Sequence, residues 1–242
     1  MLAESPSTNA ALADRARAGA GPGLVLVAEH QTAGRGRLDR SWVTPPRAAL
    51  TFSMLLAPTD VPSARWPWLP LLTGVAVADG VARATGVQCG LKWPNDVQVG
   101  ERKLAGILVE RVDGPRGAAV VIGVGLNVSS TRDELPVQTA TSLALEGAVT
   151  VERTALLGEL LGSVARRYAA WCDAGGDAGR GLLASYTRAS CTIGRKVRVD
   201  LPHGERVHGE AVGVDEGGRL RVFTDGGERV LGAGDVIHVR VQ

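Results

Sequence analysis

The sequence predicts an α+β protein with two parts, a larger domain over residues 1–190 and a small β-barrel over residues 191–242. In the first part, apolar runs of strand length alternate with segments of helical periodicity. From Thr192 onward the chain changes to four or five short alternating strands separated by glycine-containing turns. That pattern is typical of a small β-barrel, so we place the boundary near Ser190.

Composition limits the function classes. The chain of 242 residues can bury a substantial core, and 45% hydrophobic with 21% charged residues is typical of a soluble globular protein. A net charge of +2 is too small to indicate a nucleic-acid or membrane partner. The three cysteines are widely spaced, which argues against a disulfide framework or a structural zinc site. With neither a signal peptide nor a membrane-length apolar run, a cytoplasmic protein is expected.

The first elements follow from capping residues and apolar runs. Ser7-Thr8-Asn9 precedes an Ala/Leu/Arg run that glycines end from Gly19 onward, which predicts a helix with Ser7 or Thr8 as N-cap. This capping role could be the whole role of those hydroxyls. Further along, the pattern predicts strands over residues 24–28 and 49–57 and a core helix over residues 69–85.

The segment over residues 29–42, EHQTAGRGRLDRSW, has no hydrophobic periodicity. Gly34 and Gly36 allow the backbone to approach a ligand closely. Three arginines add guanidinium groups suited to carboxylate or phosphate: Arg35, Arg37 and Arg40. It is neither a Walker loop nor a complete GxGxxG motif. A solvated basic loop, or part of an RNA-binding Arg/Gly segment, is the alternative interpretation.

A hairpin is predicted over residues 92–106, KWPNDVQVGERKLAG. It holds Lys92 and Lys103, two of the three lysines in a chain with 24 arginines, and Asn95, one of three asparagines. Alternation of valines predicts one strand, and Gly100 begins a turn into the next. The hairpin is expected to bring Asn95, Asp96 and Lys103 together as an anion-handling site. An ordinary hairpin with a surface ion pair is the alternative.

A third element is the strand predicted over residues 118–128, which contains Gly123 and Gly125 and ends near Asn127. Glycine inside a strand often marks close approach of a ligand or another backbone. Asn127 could contact a purine edge, as asparagine does in adenine readout, or it could simply start a turn. Beyond it, helices are predicted to begin within Thr150–Arg153 and to cover residues 182–188.

Together these elements suit charge neutralisation between anions. The sequence shows no Ser-His-Asp order, metal-ligand cluster or paired-carboxylate motif, so no metal site is predicted. A carboxylate that attacks the α-phosphate of a nucleotide meets electrostatic repulsion. Preorganised cations and amide donors lower that barrier where charge develops.

The segments GRGRLDRSW, KWPNDV, RKLAGILVE and IGVGLNV, in that order, resemble the motifs of bacterial biotin–protein ligases. With Ser7-Thr8-Asn9 and the terminal barrel, the resemblance covers nearly the whole chain. It implies a catalytic domain related to class II aminoacyl-tRNA synthetases, a mixed sheet with flanking helices, followed by an SH3-like domain. It further implies that biotin and ATP, with Mg²⁺, form biotinyl-5′-AMP and pyrophosphate. Biotin then passes to a lysine of the biotin carboxyl carrier domain of an acyl-CoA or acetyl-CoA carboxylase.

The resemblance also implies roles for individual residues. The biotin-binding positions are Ser7, Thr8, Asn9, Gln31, Gly34, Arg35, Gly36, Arg37, Lys103 and Gly106. The ATP-binding positions are Arg37, Arg40, Trp42, Lys92, Asn95 and Asn127, with Trp42 covering the adenine. Lys103 and Arg37 are the expected catalytic cations. Asp96 is our hypothesis for the base that accepts the proton of the incoming lysine amine. Residues 29–42 are expected to order over bound ligand.

Two departures from the family pattern matter. The chain begins almost at Ser7-Thr8-Asn9, without room for an N-terminal helix-turn-helix domain, so no nucleic-acid partner is expected. Leu38-Asp39 stands where the family often has glycine.

A monomer or weak homodimer is expected. The alternatives are a lipoate–protein ligase, which shares the fold and adenylate chemistry, and a non-enzymatic nucleic-acid-binding protein.

Overall fold

The structure is a computed structural model that describes residues 1–148, 152–179 and 181–239. Its helices are α1 (Thr8–Arg17), α2 (Trp68–Thr85), α3 (Arg153–Asp173) and α4 (Leu182–Ala189), with one 3₁₀ turn at Ser63–Arg65. Its strands are β1 (Val25–Ala28), β2 (Ala49–Leu56), β3 (Gly90–Lys92), β4 (Asp96–Val99), β5 (Arg102–Gly114), β6 (Gly117–Asn127), β7 (Lys196–Asp200), β8 (Arg206–Val214), β9 (Leu220–Thr224), β10 (Gly227–Leu231) and β11 (Asp235–His238).

The first sheet has six strands in the order β1-β2-β6-β5-β4-β3. The ladders between these strands are antiparallel. Parallel pairing enters through isolated bridges, Leu2 to Ala28 and Ser5 to Gln31, which lay the N-terminal segment beside β1. The predicted mixed sheet with flanking helices is therefore confirmed.

The helices cover the two faces of this sheet unequally. Phe52 and Ile122 belong to the larger core, which also contains the buried residues of α2 and α3. On the opposite face, α1 packs Leu12 against Leu55 and Val121. Ser7 is the N-cap of α1, as predicted. Because α1 covers only part of its face, the neighbouring stretch of the sheet remains available as the floor of a site.

The second sheet has five antiparallel strands in the order β10-β9-β8-β7-β11. Short alternating strands were predicted here, and they are confirmed. The prediction of a barrel needs correction, because no ladder joins β10 to β11 among the described strands, so this SH3-like sheet is not closed.

The two sheets are joined by a continuous core. Trp68, which is fully buried, donates its indole N–H to the carbonyl of Glu216 at 2.7 Å. Trp93 donates likewise to the carbonyl of Gly218 at 3.2 Å. These contacts fix the second sheet against the first. The division at residue 190 remains a prediction, and residues 240–242 of the second part lie outside the described residues.

Helix α3 begins at Arg153, close to the predicted start. Its N-cap is Glu152, whose carboxylate accepts hydrogen bonds from the N–H groups of Thr154 and Ala155 at 2.8 and 2.6 Å. Thr150 and Val151, which were included in the prediction, lie outside the described residues. Among the helices described, none combines the length and the apolar character that crossing a membrane requires.

The imidazole of His238, at the end of β11, has a pKa lowered to about 4 because the ring is half-buried and lies near Lys92 and Arg195. Its ordinary value is 6.5, so between these pH values the unfolded chain binds a proton that the folded chain does not. Stability is therefore expected to fall as the pH falls through this window.

We expect His238→Gln to reduce the loss of unfolding free energy on lowering the pH by about 1–2 kcal/mol. This value allows for screening by water, because the ring is half-exposed. Urea unfolding at pH 7.5 and pH 4.5 measures it, with His203→Gln as the control. An unchanged pH dependence in His238→Gln would contradict the assignment.

Candidate functional site

A row of small and polar residues crosses the open face of the first sheet. The register aligns Thr51 with Gly125, Gly125 with Gly106, Gly106 with Asp96, and Asp96 with Lys92. The two glycines in the middle of the row leave a flat floor between polar side chains. This row forms because the face that carries Leu55 and Val121 under α1 changes from apolar to small residues further along the same strands.

The next row of the same face consists of Ser53, Gly123 and Leu108. The side chain of Asn9, the second residue of α1, lies over it. A Cβ at Gly123 would be 2.1 Å from Asn9 Oδ1, so glycine is required there. The sequence predicted a close approach at this glycine, and the structure shows that an asparagine side chain makes it.

Lys103 reaches the site face through an irregularity in the sheet. The pairing of β4 with β5 shifts between Val97 and Gln98, so that Gln98 opposes Lys103. A bulge of this kind re-aims a side chain. Lys103 Nζ consequently lies 2.6 Å from Asp96 Oδ1. The predicted proximity of these two residues is confirmed.

Residues 34–42, which carry Arg35, Arg37 and Arg40, fold back on themselves as a small basic hairpin over the floor. The carbonyl oxygen of Gly34 accepts a hydrogen bond from the N–H of Trp42 at 2.8 Å. The backbones of Arg35 and Ser41 form an isolated antiparallel β-bridge. The turn places Leu38 and Asp39 at φ of 53° and 56°. Leucine is disfavoured in that left-handed region, where glycine is not, so Leu38 strains this turn.

Trp42 packs on the floor at the base of the hairpin. A Cβ at Gly125 would be 2.4 Å from its indole ring, and one at Gly106 would be 3.3 Å from it. Lys103 Nζ lies 5.8 Å from the ring centroid, within the range of a cation–π contact. The indole N–H is buried and has no hydrogen-bond partner among the described residues.

Arg37 and Arg40 point from the hairpin toward β11. Arg37 Nη1 lies 3.4 Å from both Asn95 Oδ1 and the carbonyl oxygen of Gly234. Burial lowers the pKa of Arg37 from its ordinary value, while the negative charges of Asp235 and Asp96 act in the opposite direction. Arg40 forms an ion pair with Asp235. The second sheet therefore supplies one wall of the site.

These elements enclose a cavity of about 310 Å³, the size of a small-molecule site. Most of the predicted site residues line it: Ser7, Thr8, Asn9, Gln31, Arg35, Gly36, Arg37, Arg40, Trp42, Lys92, Asn95, Asp96, Lys103 and Gly106. Hydroxyl and amide groups of α1 and Gln31 surround one end, and cationic groups surround the other. Such a cavity can bind a neutral polar group and an anion at the same time.

Two predicted residues do not line this cavity. Gly34 instead packs against the returning strand of the hairpin, where a Cβ would be 2.3 Å from the carbonyl oxygen of Trp42. Asn127 is 4% exposed, and its amide donates to the carbonyl of Thr141 at 2.9 Å. Thr141 N–H in turn donates to the carbonyl of Lys103, so Asn127 supports the strand that carries this lysine.

Several residues at this cavity were not predicted from the sequence. Thr51 lines the cavity, and Ser53 is fully buried but hydrogen-bonds to the lining residues Thr8 and Asn9. Both sit within an otherwise apolar strand, where their alternation with Phe52 and Met54 was the available signal. Asp235 and Asp200 come from the second sheet, and nothing local in the sequence indicates that they reach this cavity. Within the described ranges, no group of three or more His, Cys, Asp or Glu side chains is placed to hold a metal ion.

Two family models match the chain: the biotin/lipoate A/B protein ligase family over residues 2–127, and the biotin protein ligase C terminal domain over residues 192–239. A biotin–[acetyl-CoA-carboxylase] ligase of Mycobacterium tuberculosis is 44% identical over 244 residues, covering 99% of this chain and 88% of that protein. The bifunctional ligase/repressor of Bacillus subtilis is 33% identical over 218 residues, covering 88% of this chain and 66% of that protein.

Among solved structures, the biotin protein ligase of Aquifex aeolicus in complex with biotin and ATP superposes with a TM-score of 0.83. It is 27% identical in sequence, and the match covers 99% of this chain and 97% of that one. The architecture of both sheets is therefore shared with that enzyme.

Proposed function

Because the chain belongs to the biotin/lipoate A/B protein ligase family, we propose that it activates biotin with ATP and transfers it to a protein lysine. Biotin and ATP form biotinyl-5′-AMP and release pyrophosphate. The acyl group then passes to a lysine of the biotin carboxyl carrier domain of an acetyl-CoA carboxylase. The named relative from M. tuberculosis and the Aquifex complex with biotin and ATP support this reaction.

The observation that carries the proposal is the division of the cavity into a neutral polar end and a cationic end. The biotin head group presents a urea, which needs donors and acceptors, and its carboxylate needs cations. Thr8 and Gln31 offer hydroxyl and amide groups at the first end, both nearly buried. Arg35 and Gly36 of the hairpin also line the cavity.

The cationic end suits adenylate formation. The carboxylate of biotin attacks the α-phosphorus, a bond from phosphorus to the carboxylate oxygen forms, and the bond to the pyrophosphate oxygen breaks. Lys103 and Arg37 neutralise the reacting anions where negative charge accumulates. Mg²⁺ enters as part of the MgATP substrate. Gly106 has no side chain, which lets Lys103 and Trp42 pack directly over the floor at this position.

The nucleotide side is assigned to residues near β11 and the hairpin over residues 92–106. Arg40 and Lys92 provide positive charge, Asn95 provides an amide, and Trp42 provides a ring for stacking on the adenine. Asn127 lies outside the cavity, so we assign it an indirect role through Thr141 rather than a direct adenine contact.

Biotin is favoured over lipoate by the chemistry of the first end. Ser7, Thr8, Asn9 and Gln31 are hydroxyl and amide side chains, and each is at least nine-tenths buried. We infer a preference for biotin because a urea can exchange further hydrogen bonds with these groups, whereas a dithiolane ring offers neither a donor nor a strong acceptor. A monomer or weak homodimer, a cytoplasmic location and the lack of a nucleic-acid partner remain predictions.

Mass spectrometry of a carrier domain tests the proposal. The purified chain is incubated with MgATP, the unmodified biotin carboxyl carrier domain of an acetyl-CoA carboxylase, and either biotin or lipoate. We expect a single biotinyl addition on one lysine, and none when that lysine is replaced by arginine. Modification by lipoate alone would overturn the substrate, and no modification by either would overturn the ligase assignment.

A further inference from the structure

Lys103 occupies a position in β5 where the neighbouring strand has already ended. The ladder between β5 and β6 begins at Ala105, which opposes Leu126. At Lys103 the loop that follows β6 covers the edge of β5 instead and forms a parallel bridge with it. The N–H of Lys103 donates to the carbonyl of Thr139 at 2.7 Å, and its carbonyl accepts from the N–H of Thr141 at 2.8 Å. The backbone of this lysine is therefore held by a loop rather than by a strand.

Glu146, further along this loop, ties the loop to β5. Its carboxylate accepts from the guanidinium of Arg102 through both oxygens, at 2.8 Å to Oε1 and 3.0 Å to Oε2. Oε1 also accepts from the hydroxyl of Thr141 at 2.5 Å. Thr141 is fully buried and the side chain of Glu146 is 9% exposed, so water screens these bonds little. One carboxylate thus connects the residue before Lys103 to the residue that bonds its carbonyl.

The donors and acceptors of this cluster fit a carboxylate and no other side chain of the same shape. A guanidinium only donates, a carboxylate only accepts, and the hydroxyl of Thr141 has one proton to give. A glutamine at position 146 would turn its NH₂ group toward an N–H of Arg102 in either orientation of the amide. Replacing Glu146 by glutamine therefore loosens the connection without leaving a cavity.

We propose that Glu146 is a positioning residue for Lys103, acting through Arg102 and Thr141. This inference rests on the proposed function, in which Lys103 neutralises the reacting anions. Glu146 does not line the cavity, so its effect on the reaction passes through this lysine. Lys103 Nζ lies 2.6 Å from Asp96 Oδ1, and a shift of the lysine backbone moves the ammonium away from this place. Displacement of a reacting group by about 1 Å can cost about 100-fold in rate.

The kinetic test compares Glu146→Gln with wild type in biotin-dependent pyrophosphate exchange. We expect kcat to fall about tenfold, with the KM values for biotin and ATP within about threefold of wild type. Glu134→Gln is the matched control and is expected to behave as wild type. Glu134 belongs to the same loop and also accepts from a threonine hydroxyl, that of Thr131 at 3.1 Å, but its side chain is exposed.

Acetylation tests the position of Lys103 independently of activity. The chain has three lysines, so mass spectrometry can follow each of them during brief treatment with acetic anhydride, with the exposed Lys196 as internal reference. The side chain of Lys103 is 34% exposed and is held against Asp96. We expect the ratio of the Lys103 rate to the Lys196 rate to rise about threefold in Glu146→Gln and to stay unchanged in the control.

Thr141→Val provides a second variant, because it removes one hydrogen bond of Glu146 while keeping the shape of the side chain. It is expected to lower kcat in the same direction, and it carries the test if a thermal melt shows that Glu146→Gln does not fold. An unchanged kcat in folded variants would overturn the inference while leaving the ligase assignment intact. A lower kcat with an unchanged acetylation ratio would also overturn it, since Glu146 would then act by another route. A wild-type chain without biotin-dependent exchange would overturn the proposed function, and this inference with it.

Discussion

Lys103→Ala is expected to lower the rate of adenylate formation by about 100- to 1000-fold, which is the usual effect of removing one preorganised charge from a transition state. Lys103 Nζ is 2.6 Å from Asp96 and 5.8 Å from the centroid of Trp42, so its position is fixed before substrate arrives. Without Lys103, Arg37 is the remaining cation that we assign to reduce the repulsion between the attacking carboxylate and the phosphate. Biotin-dependent pyrophosphate exchange measures the rate.

Lys196→Ala provides the control for this experiment. Lys196 is the one lysine that the site does not use, and it is exposed at the start of β7. We expect this variant to keep the wild-type rate and both variants to keep the far-ultraviolet circular dichroism of wild type. A folded Lys103→Ala variant with more than a tenth of the wild-type rate would remove this lysine from the mechanism.

Asp96→Asn is expected to slow the transfer of biotin to the carrier lysine by about 100-fold, within the usual range for a lost general base. The incoming amine must lose a proton as it attacks the acyl carbon of biotinyl-5′-AMP, and Asp96 lines the cavity beside Lys103. Adenylate formation is expected to change less, because Lys103 keeps its charge. Single-turnover transfer from preformed biotinyl-5′-AMP separates the two steps.

Asp200→Asn is the matched control for that measurement, since Asp200 also lines the cavity and also pairs with a cation, Arg198, at 2.9 Å. We expect near wild-type transfer in this variant. Equal losses of exchange and transfer in Asp96→Asn would contradict the role of Asp96 as base and would indicate that it serves only to hold Lys103.

The residues that cluster within one stretch of sequence were predictable. The hairpin brings Asp96 and Lys103 together because two adjacent strands joined by a short turn leave little other choice. Ser7 caps α1 for an equally local reason. The glycines of β6 indicated a close approach, although the groups that approach them are Asn9 and Trp42 rather than a ligand.

Contacts between distant segments were not predictable from local pattern. The ion pair of Arg40 with Asp235 joins residues 195 positions apart, and it depends on how the second sheet packs against the first. Glu110 looks like an ordinary polar residue of β5 until Asn9 and Arg35 are placed beside it. Asn127 was expected at the nucleotide, but its burial and its bond to Thr141 follow from the return of residues 137–141 along β5.

We propose that this cavity joins biotin to AMP. The most direct test is the exchange of labelled pyrophosphate into ATP by the purified chain with Mg²⁺, in parallel reactions with biotin, with lipoate and with neither. We expect exchange that depends on biotin and is lost in Lys103→Ala. Exchange with lipoate alone, or a folded chain that exchanges with neither acid, would contradict it.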